Sequence, residues 1–459
     1  MRSLLVAALG TLLVVSSPPR AIAAGKHPDK VTVNGRSYRW PLQPTVVILV
    51  DGNDPEYLNA GFATGLFPNM RRLMDEGFAT VALGGMPSFT NPNNVSVVTG
   101  VSPAKHGISG NYFLDPKTGK EVMMNSPEYL RVETILAVFS RAGAHVVALT
   151  AKDKLAKMLA HGLDMKTAVT FSAEKANACN KKDNGIEDCL GFVGRPLPDQ
   201  YSGDLSLFVL EAGAKLLERD RPDLLYVSTS DYIQHTYPPG SKEANAFYAA
   251  IDGLVGRMLA AGATVALTAD HGMNDKSRAD GSPNVVFLQD VLDAGPGAGR
   301  TKVILPITDP YVKHHGALGS FATVFLGPDT SPVEVTRAIH RQPGMEQVLS
   351  RKAAAALYEL PADRIGDLIV IGDRNTVIGT RKADHDLTKL AGHRLRSHGG
   401  LAERNTVLMF SRPLTRRYAE TTLGRPLRNS DVFDIALNGL EAAPGALGSA
   451  TVPGPTRGR

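Results

Sequence analysis

"TVVILVDG", residues 45–52, decides the fold. From Thr45 to Val50 the run is aliphatic or β-branched with no polar alternation, which predicts a strand buried on both faces. It stops at Asp51-Gly52. A strand covered on both sides needs helices on both sides, and the downstream sequence supplies them. "VETILAVFSRAG" followed by "AHVVALTAKDKL" (132–155) reads as helix, glycine, strand. The pattern returns in "SLFVLEAGAKLLERDRPDLLYVSTSDY" (206–232) and in "AFYAAIDGLVGRMLAAGATVALTADHG" (246–272). Helices alternating with apolar strands predict an α/β fold: a doubly wound, mostly parallel sheet with helices on both faces. In such sheets ligands collect beyond the carboxyl ends of the strands.

The remaining segments bound this core. "MRSLLVAALGTLLVVSSPPRAIAA" has one early positive charge, a short apolar run and small residues near its end, the plan of a signal peptide over 1–24. That plan predicts export, to the periplasm, with no membrane anchor after cleavage. The core is expected over 42–315 and 382–440. A small α+β cap insertion is expected over 316–381, and a disordered Gly/Pro-rich tail over 443–459. The 459 residues are 43% hydrophobic and 21% charged, the balance of an ordinary globular protein. The formal charge of +5 includes Arg2, Arg20 and the terminal "TRGR", and there is no basic stripe interleaved with aromatics, so nucleic-acid binding is not expected. Cys179 and Cys189 flank "NKKDNGIED"; in an exported chain they invite a disulfide, against the alternatives of free thiols or a metal site.

Polar residues gather at the predicted strand ends. Asp51 ends the first strand. Asp231 and His235 stand four apart in "STSDYIQHTYPP", on one side of a helical turn if that piece is helical. Asp270-His271 follow "VALTA", and His398 lies in "RSHGGL" before the last core strand. A lone Asp at a strand end is usually a turn former, and a lone His is usually exposed. Three of each at the site-forming edge of one sheet suffice for two metals, and carboxylate with imidazole suits zinc. "PSFTNPNNVSVVTG" (87–100) places Thr90 among prolines and asparagines before an apolar run, where it reads as a helix cap or as a nucleophile.

The order Asp51, Thr90, Asp231-x-x-x-His235, Asp270-His271-Gly272-Met273 and His398-Gly399-Gly400 resembles the alkaline phosphatase superfamily. Within it, "SFTNPNN", "HGISGNYF", "LTAKDKL", "STSDYIQH" and "ADHGM" are similar to the phosphonoacetate hydrolases, over about Thr45 to Phe410. The resemblance implies an alkaline phosphatase-like core and two Zn2+ per subunit. One zinc falls to Asp231, His235 and His398, the other to Asp51, Asp270, His271 and the Thr90 hydroxyl. It implies Thr90 as nucleophile and Asn111, Lys152 and Lys154 as residues holding a small anionic phosphonate. A homodimer is compatible with it. Two other readings stand beside it: a phosphodiesterase or nucleotide pyrophosphatase-like hydrolase of the same superfamily, and a non-catalytic periplasmic binder of zinc or phosphonate. His106, His314, His315 and His393 are left without a ligand role.

Overall fold

The computed structural model describes residues 27–309, 316–390 and 393–442. The expected signal peptide, the expected disordered tail and the pair His314-His315 lie outside the described residues.

Seven strands form the central sheet: β1 (Thr45–Leu49), β2 (Phe78–Leu83), β3 (Val146–Thr150), β4 (Val169–Ser172), β5 (Leu224–Ser228), β6 (Thr264–Thr268) and β7 (Asn405–Phe410). Their order is β2-β7-β6-β1-β5-β3-β4. β7 runs antiparallel to both neighbours, and the β6-β1-β5-β3-β4 pairs are parallel. This is the doubly wound, mostly parallel sheet the sequence predicts.

The burial of β1 explains its unbroken apolar run. Val46, Ile48 and Val50 enter one hydrophobic core and Val47 and Leu49 the other, because successive side chains of a strand point to opposite faces. The first core is closed by α1 (Pro55–Thr64) and the second by α2 (Thr90–Thr99) and α3 (Asp153–Ala160). α4 (Asp204–Asp220), α5 (Tyr232–Thr236) and α6 (Lys242–Ala260) lie on the first side. Local chemistry starts these helices: Asp54 accepts from Glu56 N ahead of Pro55, and Ser241 accepts from Ala244 N.

A second layer covers the carboxyl edge. Its antiparallel sheet runs Thr301–Ile304, Phe321–Leu326, Leu368–Gly372, Met345–Ser350, backed by helices Pro332–His340 and Arg351–Tyr358 in a separate core. The α+β cap is therefore present, but it begins before residue 316. "TKVI" is too short to announce its sheet, and only its pairing with Phe321–Leu326 assigns it to the cap.

Cys179 and Cys189 form a disulfide with Cα atoms 5.8 Å apart. Among the described residues no helix is long and apolar enough to cross a membrane.

Candidate active site and metal centre

Four adjacent parallel strands, β6, β1, β5 and β3, deliver Asp270-His271, Asp51, Asp231 and Lys152 from neighbouring carboxyl ends. Asp231 stands at the start of α5, and the single turn brings His235 Nε2 to 3.0 Å from Asp231 Oδ2. His398 follows a two-residue strand, Arg396–Ser397, paired with Asn274–Asp275 just beyond His271. The three histidines and three aspartates are all buried. Gly52 makes this approach feasible: its φ is +70°, and a Cβ there would lie 3.2 Å from both Asp231 Cβ and Gln234 Cβ.

Ligand atoms of Asp231, His235 and His398 lie within 4.8 Å of one another, as do those of Asp51, Asp231 and His271. The first trio is the one the resemblance implies. The second trio has Asp231 beside Asp51 and His271, and Asp270 stands next to it with its Oδ2 3.8 Å from His271 Nε2. Asp270 Oδ1 accepts from Gly52 N at 3.1 Å and His271 N at 3.0 Å, and its Oδ2 accepts from Asn94 Nδ2 at 3.2 Å. Asp231 sits between the two groups.

Each histidine is turned by a carbonyl. His235 Nδ1 donates to Arg396 O at 2.7 Å, His271 Nδ1 to Gly272 O at 2.9 Å, and His398 Nδ1 to Ser88 O at 2.8 Å. A carbonyl oxygen can only accept, so each Nδ1 carries a proton, and in the neutral imidazole that leaves each Nε2 lone pair facing the centre. Both carboxylate oxygens of Asp51 and the Nε2 of His271 are buried without a hydrogen bond. Burying such atoms unpaired is expensive, and a cation between them removes the cost. The donor set therefore fits a divalent metal.

Without a cation between them, the crowded groups shift one another's protonation. Burial, then the neighbouring Asp51, pushes the Asp270 carboxyl well above its ordinary value. Burial pushes the same way at Asp231, but Lys152, His235 and His398 overcome it and hold that carboxyl well below its ordinary value. Burial would lower His271, yet Asp270, Asp51 and Asp231 raise it to about 9. His398, stacked on His271 with ring centroids 3.6 Å apart, is driven down by burial and by the two other imidazoles.

Thr90 is the first residue of α2, not its cap: Phe89 occupies the cap position and no side chain caps the helix. The asparagines around it do the holding. Asn93 Nδ2 donates to Pro87 O and Phe89 O, and Asn94 ties Asp270 to Tyr226 and Ser228. Asn111 Oδ1 accepts from Asn91 N at 2.9 Å, placing Asn111 at the same helix mouth. Sequence reasoning overlooked Asn94; the run of asparagines in "TNPNN" was its only signal.

Lys152 Nζ is 2.6 Å from Asp231 Oδ1. Burial would lower that ammonium's pKa, but Asp231 and Asp51 outweigh it and raise it. Lys154 Nζ is 3.3 Å from Asp309 Oδ2, a buried carboxylate the sequence did not single out. Lys152, Lys154 and Asp309 line a cleft of about 560 Å³ together with Lys157, Lys175, Asp153 and Glu174. His106 lies outside the centre: it is buried against Ser96 Oγ at 2.9 Å, with Nδ1 accepting from Ile108 N. His393 is exposed and joins nothing in the site.

Residues 45–400 match the family model "Type I phosphodiesterase / nucleotide pyrophosphatase". Two crystal structures of phosphonoacetate hydrolase from Sinorhizobium meliloti, in complex with phosphonoformate and with phosphonoacetate, are 46% and 45% identical to the chain. Each superposes with a TM-score of 0.84, covering 89% of this chain and 98% of that one. An uncharacterized pyrophosphatase/phosphodiesterase of Schizosaccharomyces pombe is 27% identical over 54% of this chain; the match spans only 44% of that relative's length. With its sheet, its cap and its candidate metal ligands in this arrangement, the chain belongs to the type I phosphodiesterase / nucleotide pyrophosphatase family of the metal-dependent alkaline phosphatase superfamily.

Proposed function

We propose that this protein hydrolyses the carbon–phosphorus bond of phosphonoacetate to acetate and phosphate, through a phosphothreonine on Thr90. The observation that carries the substrate is the Lys152–Asp231 contact, which sets an ammonium at the junction of the candidate metal centre and the cleft that Lys152 and Lys154 line. A substrate with a phosphonate at one end and a carboxylate at the other matches that pairing. The likeness to the Sinorhizobium hydrolase supports the same reading.

Two zinc ions fit the reading, one with Asp231, His235 and His398, the other with Asp51, Asp270, His271 and Thr90 Oγ. Bound there, zinc would lower the pKa of the threonine hydroxyl and offset the charge of the phosphonate oxygens. The N-terminus of α2 and the Asn111 amide hold the phosphonate. Thr90 Oγ gives up its proton to solvent and bonds to phosphorus as the carbon–phosphorus bond breaks, and the electron pair passes to the methylene carbon. An unstabilised carbanion would be a very poor leaving group. The adjacent carboxylate, held by Lys152 and Lys154, spreads the charge as an enolate-like species, and the carbon takes a proton from solvent to give acetate. Water then cleaves the phosphothreonine, releasing phosphate and restoring the hydroxyl. On the leader-like residues 1–24 we place the enzyme outside the cytoplasm, where it meets phosphonates before uptake.

The test is to incubate the zinc-loaded protein with phosphonoacetate and, separately, with a nitrophenyl phosphodiester. Equal release of acetate and phosphate is expected. Turnover of the diester alone would assign the site to phosphodiester chemistry, which the family match also accommodates. Tight binding of phosphonoacetate without product would make the protein a binder.

A further inference from the structure

Behind the His398 loop lies an ion pair that the mechanism does not use. Lys276 and Glu403 have side chains with 0% exposure, and Lys276 Nζ donates to Glu403 Oε1 at 2.8 Å. The same ammonium donates to Arg374 O at 2.8 Å, in the cap turn that follows strand Leu368–Gly372. The carboxylate is saturated from the core side. Its Oε1 also accepts from Asn274 Nδ2 at 2.6 Å, and its Oε2 accepts from Gly400 N at 2.9 Å. The backbone carbonyl of Glu403 accepts from Gly272 N at 2.7 Å, one residue after His271.

The loop that Glu403 grips is the one that aims His398. Gly400 O accepts from Ser88 Oγ at 2.8 Å, Gly399 N donates to Ser88 Oγ at 3.1 Å, and Ser88 O takes the Nδ1 proton of His398. His398 O in turn accepts from Ser320 N of the cap at 2.9 Å. One buried pair thus joins the cap, the His398 loop and the segment after His271. Removing either charge leaves the other buried and unpaired.

We propose that Lys276 and Glu403 are a positioning pair that ties the cap to the His398 loop and sets the affinity of the metal held by Asp231, His235 and His398. The proposal rests on the metal centre described above, not on the identity of the substrate. Three donors converge on the two oxygens of Glu403, so a glutamine, with a donor in place of one acceptor, cannot satisfy them all. The Glu403 side chain reaches the His398 loop, whereas Gly272, beside His271, is held through the Glu403 backbone carbonyl; changing the side chain should therefore act on the metal of His398 and spare the other.

The experiment measures stepwise zinc affinities by competition with a chromophoric chelator, together with the thermal midpoint of metal-free protein. It compares wild type with Glu403→Gln, each also in the Asp51→Asn and His235→Ala backgrounds. The expected result is a roughly 10- to 100-fold weaker step in Glu403→Gln that persists with Asp51→Asn and vanishes with His235→Ala. Equal weakening of both steps with a lowered metal-free midpoint would reduce the pair to a folding contact and overturn the proposal. Unchanged affinities would overturn it as well. Should Glu403→Gln not fold, Asn274→Ala decides: it removes one donor and keeps the charges balanced, and it should weaken the same step by a smaller factor. A wild-type protein that binds no zinc would sink the metal centre itself, whereas zinc binding without phosphonoacetate turnover would sink only the substrate assignment.

Discussion

Lys152 Nζ and Asp231 Oδ1 are 2.6 Å apart, and both side chains are buried, so the cation facing the cleft and the carboxylate at the centre of the candidate metal ligands form one ion pair. Breaking it should have opposite consequences with and without metal. In metal-free protein Lys152→Met leaves Asp231 buried with only the imidazoles of His235 and His398 beside it, at a cost of up to about 3–5 kcal/mol. In zinc-loaded protein the cation at Asp231 replaces the lost partner, and most of that cost should disappear. Paired thermal melts with and without zinc check this, and phosphonoacetate turnover should show KM rising by at least about tenfold.

Thr90 sits at the first position of α2 without serving as its cap, so truncating it should cost the helix little. Thr90→Ala is expected to keep its zinc and its melting temperature within about 2 °C while losing turnover by a factor of roughly a thousand or more. Thr90→Ser should recover part of the rate. Loss of zinc in Thr90→Ala, read by metal analysis, would show that the hydroxyl serves mainly as a ligand.

Gly52 adopts φ +70°, with Asp231 Cβ and Gln234 Cβ 3.2 Å from where its own Cβ would stand. Gly52→Ala should destabilise the protein by about 1–3 kcal/mol, from the backbone conformation and the forced retreat of Asp231. Zinc affinity should fall with it. Urea melts and zinc titration measure the two effects.

The Cys179–Cys189 bridge closes a loop with a sequence separation of 10, for which chain entropy gives about 3 kcal/mol. Cys179→Ser with Cys189→Ser should lower stability by up to that amount. Because the bridge lies outside the metal centre, zinc stoichiometry should be unchanged.

His106 is pushed by burial from its ordinary 6.5 down to about 3, with Arg131 and Arg364 adding to the fall. Its folded form resists protonation, so the stability tied to neutral His106 is complete above pH 6.5 and is lost as pH falls from there toward 3. Between pH 7 and pH 5 this group alone should remove about 2 kcal/mol, a loss absent in His106→Asn, whose amide does not titrate in that range. Chemical denaturation of both proteins at the two pH values checks it.

Much of the site was legible in the chain because its chemistry is carried by residue types at strand ends. The run from Thr45 to Val50 announces a strand between two cores, so Asp51 had to emerge at the carboxyl edge of the sheet. The spacing of Asp231 and His235 announces a shared helical face, and the turn is there. Thr90 was ambiguous as a sequence, because cap and nucleophile favour the same local pattern. Its exclusion from capping needed the φ/ψ of Phe89.

By itself the sequence determined the alternation of helices and strands, and hence the sheet whose edge gathers the candidate ligands. Alternation and helical spacing are local properties, set by which face of an element can meet water. Only the tertiary structure decided that Asp231 belongs to both groups of candidate ligands, that the cap sheet begins at Thr301, and that Glu403 reaches Lys276 and the His398 loop. Those are relations between residues far apart in the chain. They depend on strand order, on which sheet a short strand joins, and on which buried charges find a partner, and none of these leaves a periodic trace in the sequence.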